Sequence, residues 1–180
     1  MSVALAPSRA AAHASVVSRL TPASLQALPA AYVHPGQLVV SADVGVLTTI
    51  LGSCVAVCLH DAKLRVGGLN HFLLPNKCGP GDVAGRYAPS AIEELIEQLL
   101  SCGSLQTRLV AKVVGGASVL AAFGESKEHL GLKNVAAAHE TLASYGIPVI
   151  GTDTGGTRGR KLVFSPRDGA TLVQQLGGGA

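Results

Sequence analysis

Residues 37–61 read QLVVSADVGVLTTILGSCVAVCLHD. Runs of Val, Ile, Leu and Thr broken at Asp43, Gly45 and Gly52 predict two or three strands joined by tight turns. Residues 64–75, LRVGGLNHFLLP, predict another strand, entered through Gly67 and Gly68 and closed by Pro75. The first half of the chain is therefore β-rich.

The pattern changes downstream. NKCGPGDVAGRY, residues 76–87, sets Gly and Pro among polar residues and predicts a loop able to frame a site. Ile92, Leu95, Ile96, Leu99 and Leu100 recur at helical spacing, with Ser90 as N-cap, Glu93 as its capping-box partner and Gly103 as terminator. RLVAKVVGGAS (108–118) predicts a strand ending in a glycine turn. NVAAAHETLASYG (134–146) predicts a second helix, capped by Asn134 and stopped by Gly146. A strand over IPVIGTDTGG (147–156) and a hairpin over 160–178, turning at Asp168-Gly169, complete the chain. A β-rich block followed by helix, strand, helix, strand and hairpin predicts the α+β class, a layered single domain with a mixed sheet.

Composition narrows the setting. The 180 residues are 48% hydrophobic and 14% charged, with no Trp, three Tyr and three Phe, so the core must be built from Val, Leu, Ile and Ala. The net charge of +3 is scattered and no basic run interleaves with aromatics, which argues against nucleic acid. Residues 1–30, rich in Ala and Pro, read as a flexible extension before a domain over 31–180. They lack the basic start and apolar run of a signal peptide, and no stretch reaches the roughly 18 apolar residues of a membrane span. Four irregularly spaced cysteines then read as reduced thiols of a cytoplasmic protein.

Two residues could carry chemistry. Cys54 follows Gly52-Ser53, which allow a sharp backbone turn and leave amide N–H groups free to face an oxyanion; it is either core packing or a nucleophile. His71 is the histidine embedded in a strand pattern, where a buried ring requires a hydrogen-bond partner. Thr48 and Thr49 precede Cys54 and could supply one, but adjacent strand residues point to opposite faces, so the register decides between them. Cys58 shares a strand face with Cys54 and reads as packing. The Cys and His spacings do not form a zinc pattern, and VVGGAS and GTDTGGTRGR, lacking a phosphate-loop signature, read as turns near the site with Asp153 and Arg158 as structural partners.

In order and spacing, TTILGSC, GGLNHFLLP, GGAS, GLKNV and DTGGTRGR resemble the chemoreceptor glutamine deamidase family, CheD, over roughly residues 32–178. That resemblance implies a layered α/β sandwich similar to the catalytic domains of toxins that deamidate glutamine. It implies a Cys-His-Thr triad without metal or other cofactor, falling on Cys54, His71 and Thr48, with Gly52 and Ser53 beside the oxyanion. The implied reaction is hydrolysis of glutamine side chains on chemoreceptor cytoplasmic helices, with a CheC-type phosphatase as a second partner. The competing expectation is an adaptor that binds receptors or CheC without catalysis.

Overall fold

The computed structural model describes residues 21–42, 45–118 and 129–177. Two sheets are stacked. One contains β1 (Ala30–Tyr32), β3 (Val46–Leu51), β8 (Arg160–Phe164) and β9 (Thr171–Gln175), in that order across the sheet. The other contains β2 (Leu38–Ser41), β5 (Val66–Asn70), β4 (Val55–Asp61), β6 (Leu109–Gly115) and β7 (Val149–Thr154), again in order of adjacency. Both are mixed: β1 runs parallel to β3 and β7 parallel to β6, while the other neighbours are antiparallel.

The burial of β4 shows how the layers arise. A strand covered on one face alternates apolar and polar residues, but β4 is buried at every position except His60, so both of its faces must be covered. Val55, Val57 and Leu59 pack with Ile92, Leu95, Ile96 and Leu99 of α2 (Ala88–Ser101) and Leu142 of α3 (Leu130–Ser144). Ala56 and Cys58 pack with Leu47, Leu51, Leu162 and Phe164 of the facing sheet. The molecule is thus sheet on sheet on helices, the layered α/β arrangement expected from the sequence.

Several local expectations move. Residues 1–20, including His13, and Asp43 lie outside the described residues. Within the expected extension, Pro22–Gln26 form a short helix, α1, N-capped by the Thr21 side chain, and Leu25 is buried against Val46 and Val163. Helix α2 begins two residues before Ser90, with Tyr87 at the N-cap and Pro89 in the first turn, because the Ala88 N–H is drawn to the Leu74 carbonyl at 2.8 Å. Ser90 is therefore not a cap, and Glu93 instead accepts the Tyr145 hydroxyl at 2.7 Å. Gly103, at φ +92°, does end the helix. Helix α3 starts at Leu130, capped by the His129 ring, which leaves Asn134 inside the helix.

Gly67 and Gly68 lie within β5 rather than ahead of it. A Cβ on Gly68 would fall 2.6 Å from Leu95 Cδ1 and 2.9 Å from the Val39 carbonyl oxygen, so the bare backbone is what lets α2 and β2 close on this strand. We predict that Gly68→Val costs about 1–3 kcal/mol by overpacking, measured as a lower midpoint in denaturant unfolding.

Candidate functional site

The antiparallel β4–β5 ladder brings Cys54 and His71 to one face. Its register pairs Cys58 with Leu69, and it persists past β5 as a last rung at Val55 and Phe72, whose backbones exchange hydrogen bonds of 3.2 and 3.0 Å. In that register His71 lies opposite Ala56 and one diagonal step from Cys54, a backbone separation of roughly 7–8 Å that facing side chains can span. Period-two alternation places both with Ala56 and Cys58, on the side that packs against the other sheet.

From that other sheet comes Thr49. Leu47, Thr49 and Leu51 are buried toward the space between the sheets, whereas Thr48 is on the outer face with Val46 and donates its hydroxyl to the Leu162 carbonyl at 2.8 Å. The threonine within hydrogen-bond distance of the His71 ring is thus Thr49, one position on from Thr48, for the period-two reason that made register decisive. Thr49 Oγ1 lies 2.8 Å from His71 Nδ1 and 2.7 Å from the Val33 carbonyl oxygen. A hydroxyl has one proton; with it given to Val33, the ring must donate from Nδ1. Nε2 then carries the lone pair, and it has no hydrogen-bond partner although it is buried.

The backbone around Cys54 is held by its carbonyls. Gly52 C=O accepts from Ala117 N–H at 2.8 Å, Ser53 C=O from Asn134 Nδ2 at 3.0 Å, and Cys54 C=O from Gly116 N–H at 2.8 Å. These peptides are trans, so each N–H points away from its preceding carbonyl. The Ser53 and Cys54 N–H groups are thereby directed away from the scaffold, and the Cys54 N–H reaches its own sulfur. Close approach of the glycine turn is required: a Cβ on Gly115 would lie 2.3 Å from the Cys54 carbonyl oxygen.

Electrostatically the pair is neutral. Burial pushes the half-buried Cys54 thiol above its ordinary value, opposed by its own N–H. Burial also lowers the His71 pKa to about 4, opposed by the Val33 carbonyl. Near neutral pH the proton therefore rests on sulfur and the ring is an uncharged acceptor. Cys58, by contrast, is fully enclosed and its thiol is pushed far upward by burial.

Both glycine turns lie where the sequence put them, beside the loop that carries Cys54. Gly155 N–H donates to the Gly115 carbonyl at 3.0 Å and Ser118 N–H to that of Gly156 at 2.7 Å. Asp153 is paired, but with Arg160 at 2.7 Å rather than with Arg158, which contributes only its carbonyl to the same guanidinium. The sequence reading missed Asn134 and the Ala117 N–H; GLKNV looked like a helix start, and no local pattern marks a helical Asn as a partner of a loop.

The low His71 pKa sets the sign of a pH effect. Unfolding restores the ordinary value of 6.5, so between pH 6.5 and about 4 the unfolded chain binds the extra proton and stability is lost as the pH is lowered. We predict a loss of about 3 kcal/mol across that window, seen in urea midpoints, and a flatter profile in His71→Gln.

Comparison with known proteins identifies the family. The family model described as CheD chemotactic sensory transduction matches residues 73–175. A protein of Anaeromyxobacter dehalogenans, named probable chemoreceptor glutamine deamidase CheD 1, is 48% identical over 145 residues, 81% of this chain and 84% of that one. The chemoreceptor glutamine deamidase CheD of Thermotoga maritima is 39% identical over 145 residues, 80% of this chain and 90% of that one. A probable counterpart from Sulfurimonas denitrificans is 38% identical over 81% of this chain and 93% of its own. Similarity of this extent, over about four fifths of the chain, makes it a member of the CheD family.

Proposed function

We propose that this protein hydrolyses glutamine side-chain amides on chemoreceptors to glutamate, releasing ammonia, with Cys54 as nucleophile. The observation that carries the reading is the face shared by Cys54 and His71, with the ring's Nδ1–H engaged by Thr49 and Nε2 left open. The names of the curated relatives supply the substrate class.

The chemistry follows from the neutral pair. Nε2 of His71 takes the thiol proton as sulfur attacks the amide carbon, and the carbonyl electron pair moves to oxygen, where the Ser53 and Cys54 N–H groups can receive the negative charge. When the carbonyl re-forms, the C–N bond breaks and His71 returns its proton to the leaving nitrogen, giving ammonia and a thioester. Water, deprotonated by the same ring, cleaves the thioester and restores the thiol. Thr49 keeps Nδ1–H occupied throughout, so the lone pair stays on the side of sulfur. A glutamine presented on a receptor helix, a CheC-type phosphatase as second partner and a cytoplasmic setting belong to the same reading.

Mass analysis of a chemoreceptor cytoplasmic fragment is the test. Wild-type protein should convert specific glutamines to glutamate and Cys54→Ala should convert none; a fragment bound but unchanged by both would favour the adaptor reading. Thr49→Val should lower turnover roughly tenfold or more by freeing the tautomer, whereas Thr48→Val, on the outer face, should stay near wild type. An inverted ranking in an ammonia-release assay would move the orienting role to Thr48.

A further inference from the structure

Asn134 is fully buried in α3, yet its side chain serves neither helix capping nor apolar packing. Its Nδ2 donates to two carbonyls in different segments, Ser53 just before β4 at 3.0 Å and Leu73 just after β5 at 2.9 Å. Ser53 precedes the cysteine and Leu73 follows the histidine by two residues. Past the rung at Val55 and Phe72 the strands part: Leu73 and Leu74 N–H both turn to the Arg86 carbonyl at 2.9 and 3.0 Å, and Cys54 C=O turns to Gly116. One NH2 group thus spans the gap where the ladder has ended. Two carbonyl acceptors also fix the amide orientation, since Oδ1 in that place would face two like dipoles.

We infer that Asn134 is a positioning residue for the reaction, setting both the spacing of the Cys54 and His71 strand ends and the orientation of the Ser53–Cys54 peptide that aims the Cys54 N–H at the oxyanion. With the Ser53 carbonyl tied to α3, the trans peptide must turn its N–H the other way. Without the tie the peptide is free to rotate, and a flipped peptide would put a carbonyl oxygen where the donor should be. This rests on the assignment of Cys54 as nucleophile.

The experiment compares Asn134→Leu, similar in size but without donors, and Asn134→Ser, too short to reach both carbonyls. As a stability control, Asp61→Asn at the far end of β4 removes a buried partner of Arg108 without touching the site. Activity on the receptor fragment is measured per folded molecule, together with the pH dependence of Cys54 alkylation followed by peptide mass. Positioning predicts a kcat loss of roughly a hundredfold or more with KM held, and an alkylation profile displaced to higher pH, while Asp61→Asn melts earlier but keeps both readouts. A purely structural role predicts that the Asn134 variants behave like Asp61→Asn, which overturns the inference. Should neither variant fold, NMR of the wild-type protein decides. Slowly exchanging Asn134 side-chain protons that shift when Cys54 is alkylated support the tie, and solvent-like exchange overturns it. Cys54→Ala is assayed alongside: its retained activity would sink the nucleophile assignment, whereas an inactive Cys54→Ala with fully active Asn134→Leu would sink only the role of Asn134.

Discussion

A single hydrogen bond between sheets, 2.8 Å from the His71 ring to Thr49, organises the centre of this molecule. It joins the tail of β5 in one sheet to β3 in the other, so it exists only while the two sheets are stacked. Thr49 spends its one proton on Val33, and that choice propagates: Nδ1 must donate, Nε2 must accept, and the accepting nitrogen lies on the face occupied by Cys54. A buried imidazole is costly unless satisfied. Here it is satisfied on one side and deliberately open on the other.

Neutrality of the pair is a consequence of the same burial. Desolvation raises the thiol and lowers the imidazole, so no resting ion pair forms, and in the proposed reaction the proton moves as sulfur attacks. The backbone supplies the complementary charge. Three consecutive carbonyls, from Gly52 to Cys54, are bound by the scaffold, and trans geometry turns the intervening N–H groups away from it. Glycines at 115 and 116, both at positive φ, allow the turn that makes two of these contacts. The reaction proposed for the site asks for those two features, a neutral base beside a neutral thiol and donors fixed before charge develops.

Much of this was legible in the sequence because it is local. The apolar run of β4, the helical spacing of α2 and the Asp168-Gly169 hairpin each announce themselves within a few residues. Cys54 behind Gly-Ser and His71 within a strand stood out as polar groups in apolar company. What could not be read depends on register or distance. Thr48 and Thr49 differ by one residue, and only the pairing of β3 with β8 tells which faces inward. Ser90 and Asn134 have the chemistry of helix caps but are overruled, one by Pro89 and the Leu74 carbonyl, the other by a helix that begins at Leu130. Asp153 found Arg160 instead of Arg158 because the chain turns between them. In each case tertiary contact outweighed a local preference of about 1 kcal/mol.

The central claim is that His71 is held neutral, as the Nδ1–H tautomer, with Nε2 left without a hydrogen-bond partner on the face it shares with Cys54. The most direct measurement is nitrogen-15 NMR of the His71 ring across pH 4 to 8. The account predicts a protonated Nδ1 and an unprotonated Nε2 at neutral pH, no titration near 6.5, and a mixed tautomer in Thr49→Val. A ring protonated at Nε2, or one titrating like a free histidine, would contradict it.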